Sequence, residues 1–177
     1  VRALLNQDFL GKHNPTLQDT SCVQVSNGTE EVQVDVVDTA GTEDFGALKN
    51  AQIEINNGFV IVASIDDKES IDEALTYVKK IKEGRLADKD KIIPICLVLN
   101  KSDIDEKYWK ITFEEFKAHF SKILSAEIDK KFVGFYKISC KQRENVKESF
   151  EFVVKKIYEE SPKKSLLQKM KTLLKTK

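Results

Sequence analysis

Val23 and Val25 alternate with polar neighbours, Asn27-Gly28 follows, and Val32, Val34 and Val36 resume the same period of two. Such alternation marks strands with one buried face. Asn-Gly between two such runs is a strong hairpin signal, because both residues tolerate positive φ. The second strand closes on Val36-Val37-Asp38. Farther on, Phe59-Val60-Ile61-Val62-Ala63-Ser64-Ile65 and Ile92-Ile93-Pro94-Ile95-Cys96-Leu97-Val98-Leu99 are unbroken apolar runs. Runs of that kind suit parallel strands buried on both faces. Pro94 falls near the start of its run, where a missing N–H does least harm. Gly134-Phe135-Tyr136-Lys137-Ile138 predicts a fifth strand.

Between the strands the apolar period lengthens to that of a helix. Ser70-x-x-Glu73 reads as a capping box opening a helix with Ile71, Ala74, Leu75, Val78 and Ile81 on one face. Thr112-x-x-Glu115 opens a second, with Phe113, Phe116, Phe120 and Leu124 inward, and Val146, Phe150, Val153, Val154 and Ile157 stripe a third. Strands alternating with helices predict an α/β fold: a mostly parallel sheet, one antiparallel edge hairpin, and helices on both faces. No internal repeat is visible. One boundary is, near Ser161-Pro162, dividing residues 1–160 from a tail of residues 161–177.

Composition narrows the class. With 177 residues and 41% hydrophobic side chains the chain can bury a core of one domain, and 7 Gly with 3 Pro exclude collagen-like or low-complexity sequence. No apolar run nears the ~18 residues that cross a bilayer, and no signal peptide opens the chain. Cys22, Cys96 and Cys140 are far apart with no C-x-x-C spacing. That excludes a disulfide scaffold or local zinc knuckle and fits a reducing cytosol. His13 and His119 lack metal-ligand spacing and read as surface residues, and Trp109 reads as a packing residue.

Charge changes the picture at one end. The 29 basic and 29 acidic residues balance, but residues 161–177 hold six lysines and no acid. The acidic remainder argues against a nucleic-acid partner. In the tail Leu166, Leu167, Met170, Leu173 and Leu174 fall on one helical face among lysines. Two readings stand: a basic amphipathic helix for an anionic membrane surface, or a solvated extension packing a few leucines on the body.

Chemistry is expected in loops at the carboxyl ends of the strands. Those loops read Asp38-Thr39-Ala40-Gly41, Asn100-Lys101-Ser102-Asp103 and Ser139-Cys140-Lys141, with Asn14-Pro15-Thr16 upstream. In order and separation they resemble the motifs of Ras-superfamily small GTPases, from Leu4 to about Glu159. The stretch Asp38-Thr39-Ala40-Gly41-Thr42-Glu43-Asp44-Phe45 looks most like the Rap branch. The resemblance implies a P-loop NTPase-like G domain, a monomer that binds GTP and GDP with Mg²⁺ and switches between effector-binding states.

By that resemblance, Asp38 and Thr16 serve the Mg²⁺, and the Thr16 and Gly41 main-chain N–H groups meet the γ-phosphate. The competing reading of Asp38 and Thr16 is that they are ordinary turn residues. Asp103 accepts from the N1–H and N2–H₂ edge of guanine, which adenine cannot offer. The stem of Lys101 lies along the base, Asn100 ties loops together, and Ser139, Cys140 and Lys141 offer backbone N–H groups to the guanine O6. Phe9 matches an aromatic packed edge-on against the base; a core phenylalanine is the competing reading. Thr42 stands where most Ras relatives have glutamine to orient water, so intrinsic turnover at or below the ~10⁻⁴ s⁻¹ of Ras is expected.

Effectors are expected on the loops from Asn14 to Asp19 and from Thr42 to Lys49, with an activating protein and an exchange factor as further partners. Gln18 replaces the family's usual glutamate and His13 its tyrosine, which weakens pairing with a basic effector strand. The expected location is cytoplasmic, with the tail as candidate contact to the inner face of the plasma membrane. The prenylated cysteine usual near the end of Ras and Rap proteins does not occur near Lys177.

One motif is missing. Gly-x-x-x-x-Gly-Lys-Ser/Thr occurs nowhere: Asn6 and His13 spoil the frame of Gly11-Lys12, and Ala47-Leu48 follows Gly46. In the family the helix after that loop runs into the match of Leu4-Leu5-Asn6-Gln7-Asp8-Phe9. The chain opens at Val1 with its single methionine at Met170, so a strand-plus-loop unit of roughly 20 residues is expected upstream. Without it a slot with unpaired backbone groups is expected in the sheet. The two explanations are a portion of an intact GTPase, the favoured one, and a degenerate interaction module that no longer binds nucleotide. Ser125 to Lys131 reads as an insertion.

Overall fold

The computed structural model describes residues 1–8, 18–39, 51, 53–87, 93–124 and 131–159. Strand β1 (Gln18–Ser26) pairs antiparallel with β2 (Glu31–Thr39), in a register that sets Val23 opposite Val34 and Val25 opposite Val32. The turn between them lies at Asn27-Gly28, where the sequence signals a hairpin. It spans residues 27–30, closed by Asn27 N–H donating to Glu30 O at 3.0 Å. Gly28 alone takes a positive φ, +91°, while Asn27 turns the chain with its side chain: its Oδ1 accepts from the N–H groups of Thr29 and Glu30.

Three strands form a parallel sheet in the order β3 (Phe59–Ser64), β4 (Ile95–Asn100), β5 (Val133–Lys137). Pro94 lies just ahead of β4, where its carbonyl accepts from Phe59 N–H at 2.9 Å. Successive side chains of a strand point to opposite faces, and β4 divides its residues accordingly. Ile95, Leu97 and Leu99 join helices α1 (Lys68–Ala87) and α2 (Phe113–Ser121) through Ile71, Val78, Ile81, Phe116 and Phe120. Cys96 and Val98 face the other way, onto Val146 and Val153 of α3 (Val146–Glu159). An unbroken apolar strand is what two covered faces demand. Helix α3 also reaches the hairpin, packing Val154 against Val23 and Val25.

Two helix starts illustrate how local sequence acts. Thr112 caps α2 with the anticipated reciprocal pair: its Oγ1 accepts from Glu115 N–H, and the Glu115 carboxylate accepts from Thr112 N–H at 2.8 Å. For α1 the expectation is corrected. The helix starts at Lys68, and the cap is Asp67, whose Oδ1 accepts from Glu69 N–H at 3.0 Å and Ser70 N–H at 3.3 Å. Ser70 lies inside the first turn, where its Oγ donates to Asp67 O and accepts from Ser64 N–H.

The two sheets are separate. The edge of β2 away from β1 and the edge of β3 away from β4 border a cavity of about 1000 Å³. Its walls include Val36 and Asp38 of β2, Val60 and Val62 of β3, Tyr77 of α1 and Ile157 of α3. Helices thus cover this gap as they cover a strand, and Val62 is left 53% exposed beside it. The residues 125–130 of the expected insertion and the tail 161–177 lie outside the described residues.

Candidate functional site

Strands β3, β4 and β5 run the same way, and their register aligns Ser64 with Asn100 and Leu99 with Lys137. Their carboxyl ends therefore open on one edge of the sheet, and three loops meet there. At the exit of β4, Lys101 adopts φ +66°, a conformation uncommon for a residue with a side chain. The left-handed residue breaks the strand direction, and Ser102 N–H turns to donate to Ile138 O at 3.0 Å. This binds the β4 exit to the β5 exit.

Side chains complete the tie. Ser139, fully buried, donates from Oγ to Asp103 Oδ1 at 2.5 Å and accepts from Gln142 N–H at 3.0 Å. Asn100 Oδ1 accepts from Cys140 N–H at 3.1 Å. Cys140 N–H, one of the donors offered on sequence grounds to a base oxygen, is thus already engaged by Asn100. Burial pushes the Cys140 thiol up from its ordinary value, which leaves it a neutral packing group rather than a nucleophile. Lys141 is exposed at the rim. Asn145, with φ +57°, donates from Nδ2 to Lys137 O at 3.0 Å and holds the loop that leads into α3.

A carboxylate has about four lone-pair sites, so Asp103 can hold Ser139 and still present acceptors to a pair of ligand N–H donors. That is the chemistry of a guanine edge. Asp38 stands apart at the end of β2, half-buried and lining the cavity, directly opposite Asp19 in the hairpin register. Mg²⁺ takes one or two carboxylates plus water and phosphate oxygens, so Asp38 fits that ion. Among the described residues no cluster of three or more metal-ligating side chains occurs. Phe9, Thr16, Gly41 and Thr42 lie outside the described residues, as do the loops at 9–17 and 40–50.

Sequence reasoning passed over Asp66. Lys101 Nζ lies 2.9 Å from Asp66 Oδ1 and 3.0 Å from Oδ2, and Ser64 Oγ donates to the same carboxylate. The Ser64 hydrogen bond and then the Lys101 ammonium hold the Asp66 carboxyl below its ordinary value. The available signal was an aspartate just past a buried parallel strand.

Residues 1–159 match the sequence profile of the Ras family. The chain belongs to the Ras family. It is 29% identical over 155 residues to Ras-like protein 1 of Saccharomyces cerevisiae, covering 88% of this chain and 46% of that protein. It is 31% identical over 156 residues to Ras-like protein rasC of Dictyostelium discoideum, covering 87% of this chain and 76% of that protein. The chain thus spans about half the length of the yeast relative and three quarters of the slime-mould one. Ras membership agrees with the parallel sheet, the edge hairpin and the helices on both faces.

Proposed function

We propose that this Ras-family chain works as a guanine-nucleotide switch that binds GTP and GDP with Mg²⁺ and hydrolyses GTP slowly. The observation that supports it best is the Asp103 carboxylate, fixed by Ser139 between the β4 and β5 exits with acceptor capacity to spare. In this reading Asp103 selects guanine, Lys101 lies along the base, Asn100 clamps the two loops, and Ser139, Cys140 and Lys141 form the wall beside the base oxygen. Phe9 closes the base from its edge. Asp38 and Thr16 would hold Mg²⁺, which would supply positive charge against the phosphates. Gly41 brings a backbone N–H to the γ-phosphate without a Cβ in the way.

Thr42 is too short to orient the attacking water, so hydrolysis is slow until an activating protein supplies the missing group. That feature, with Asp38 to Phe45, places the chain nearest the Rap branch in this reading. Effectors bind the loops at 14–19 and 42–49, an exchange factor reloads the site, and the protein acts as a monomer. The 161–177 tail, apart from the G domain of residues 1–160, brings it from the cytoplasm to an anionic inner membrane face.

The test is to denature the purified protein and chromatograph what it releases, then to offer fluorescent GDP with Mg²⁺. Bound or readily taken-up guanine nucleotide is expected. No release and no uptake at micromolar GDP would turn the reading to a nucleotide-free interaction module.

A further inference from the structure

The Lys101–Asp66 pair joins the exits of two neighbouring strands, and its geometry is determined from both sides. Ile65 N–H donates to Asn100 O at 3.0 Å, and Ile65 O accepts from Lys110 N–H at 2.8 Å. The backbone just before Asp66 is therefore fastened to the β4 exit and to the segment at Lys110 before any side chain acts. Ser64 Oγ then orients the Asp66 carboxylate, and Lys101 Nζ meets both of its oxygens almost equally, at 2.9 and 3.0 Å. Positive φ at Lys101 sends its side chain toward the β3 side, while Asp103, two residues on, is drawn toward the β5 side by Ser139.

The pair is poorly suited to hold the fold together. Its side chains are 49% and 31% exposed, and ion pairs that wet contribute little to stability. What it does fix is the long, rotamer-rich lysine, whose freedom a ligand must otherwise suppress on binding. With the ammonium anchored at the β3 exit and the α-carbon at the β4 exit, the methylene stem becomes a ledge on one side of Asp103. A planar base whose edge meets Asp103 would have that ledge against its face.

We propose that Asp66 is a positioning residue for Lys101, preorganising its stem as the face contact of the bound base. This rests on the nucleotide reading given above. Asp66 touches no ligand itself, so its effect must pass through Lys101 and must not depend on which groups the base carries along its edge.

The experiment measures dissociation of fluorescent GDP from the parent chain and from Asp66→Asn, Asp66→Ala, Lys101→Ala and the Asp66→Ala/Lys101→Ala double variant. The Asp66 variants should release GDP about tenfold faster, the loss expected of a charged hydrogen bond at its weaker end. The double variant should match Lys101→Ala alone, since residues acting as one unit are not additive. The ratio of GDP to IDP affinity, which reports on the base edge, should stay at the parent value. In a separate arm without nucleotide, amine acylation followed by peptide mass spectrometry should show Lys101 reacting more slowly than Lys110, and that protection should vanish in Asp66→Asn.

Unchanged release from Asp66→Asn, an additive double variant, or equal acylation of Lys101 in both proteins would each overturn the positioning role. A parent chain that takes up no GDP would overturn the nucleotide reading, and the proposal with it. Binding by the parent with indifferent Asp66 variants would overturn the proposal alone.

Discussion

Ser139 and Asp103, 36 residues apart in sequence, share a 2.5 Å hydrogen bond beneath the mouth of the candidate site. The serine is wholly buried and its hydroxyl also serves Gln142 N–H, so one side chain sets both the carboxylate and the loop behind it. A buried polar group that loses its partner costs about 1–3 kcal/mol. Ser139→Ala should therefore lower unfolding free energy by about that amount in urea titration. Asp103→Asn keeps an acceptor for Ser139 and should unfold near the parent midpoint. It should nevertheless bind GDP roughly 10- to 100-fold more weakly in equilibrium titration, because an amide presents a donor to the guanine donors. Comparable losses of stability in the two variants would contradict this division of labour.

Two glycines are required by close approach. A Cβ on Gly58 would lie 2.5 Å from Val153 Cγ1 and 3.3 Å from Pro94 Cγ; on Gly134 it would lie 2.8 Å from the Phe152 ring. Both press on α3. Gly58→Ala and Gly134→Ala should each cost about 1–3 kcal/mol by chemical denaturation, the usual range for overpacking. Pairing Gly58→Ala with Val153→Ala should recover part of the first loss, and strict additivity would refute the steric account.

The capping box of α2 offers a surface test. Thr112→Ala removes the hydroxyl that accepts from Glu115 N–H and should lower stability by about 1 kcal/mol. Circular dichroism melts would show it as a drop of several degrees. Thr112→Ser should behave as the parent.

Acid should loosen the molecule in a defined window. Asp66, held low by Ser64 and Lys101, and Glu115, held low by Thr112, have folded values below their ordinary 3.8 and 4.5. Groups depressed on folding add stability above the ordinary value and lose it as pH falls through the folded one. Because the pair is wet, the urea midpoint difference between parent and Asp66→Asn should be small, and it should hold from neutral pH to about 5. It should close as pH drops below 3.8, where the parent carboxyl becomes neutral as well. A difference that persists at pH 2 would mean the asparagine acts by shape rather than charge.

Burial pattern made most of the fold legible. Ile95 to Leu99 had to be covered on two faces because no polar residue interrupts them, and Thr112-x-x-Glu115 carried its own cap. The start of α1 was misread because Ser70 and Glu73 match the box by spacing, whereas Asp67 accepts from the first-turn amides three residues earlier. Asn27-Gly28 signalled the hairpin, but the form of the turn depended on where the Asn27 side chain bonded. Asp66 escaped notice for a different reason: its partner Lys101 is 35 residues away and meets it only because β3 and β4 lie side by side. Local pattern reveals elements; contacts between strand exits appear only once the sheet is assembled.

Among the described residues the hairpin of β1 and β2 is tied to the rest chiefly through α3. A two-stranded ribbon is marginal by itself and needs packing to persist, and here Val154 of α3, with Leu4, supplies much of that footing. The hairpin and the three-stranded sheet should thus behave as two cooperative units rather than one. Amide hydrogen exchange would resolve them. Val23 and Val25 should open to solvent at a lower free energy than Leu97 and Val98, with Val154→Ala widening the difference.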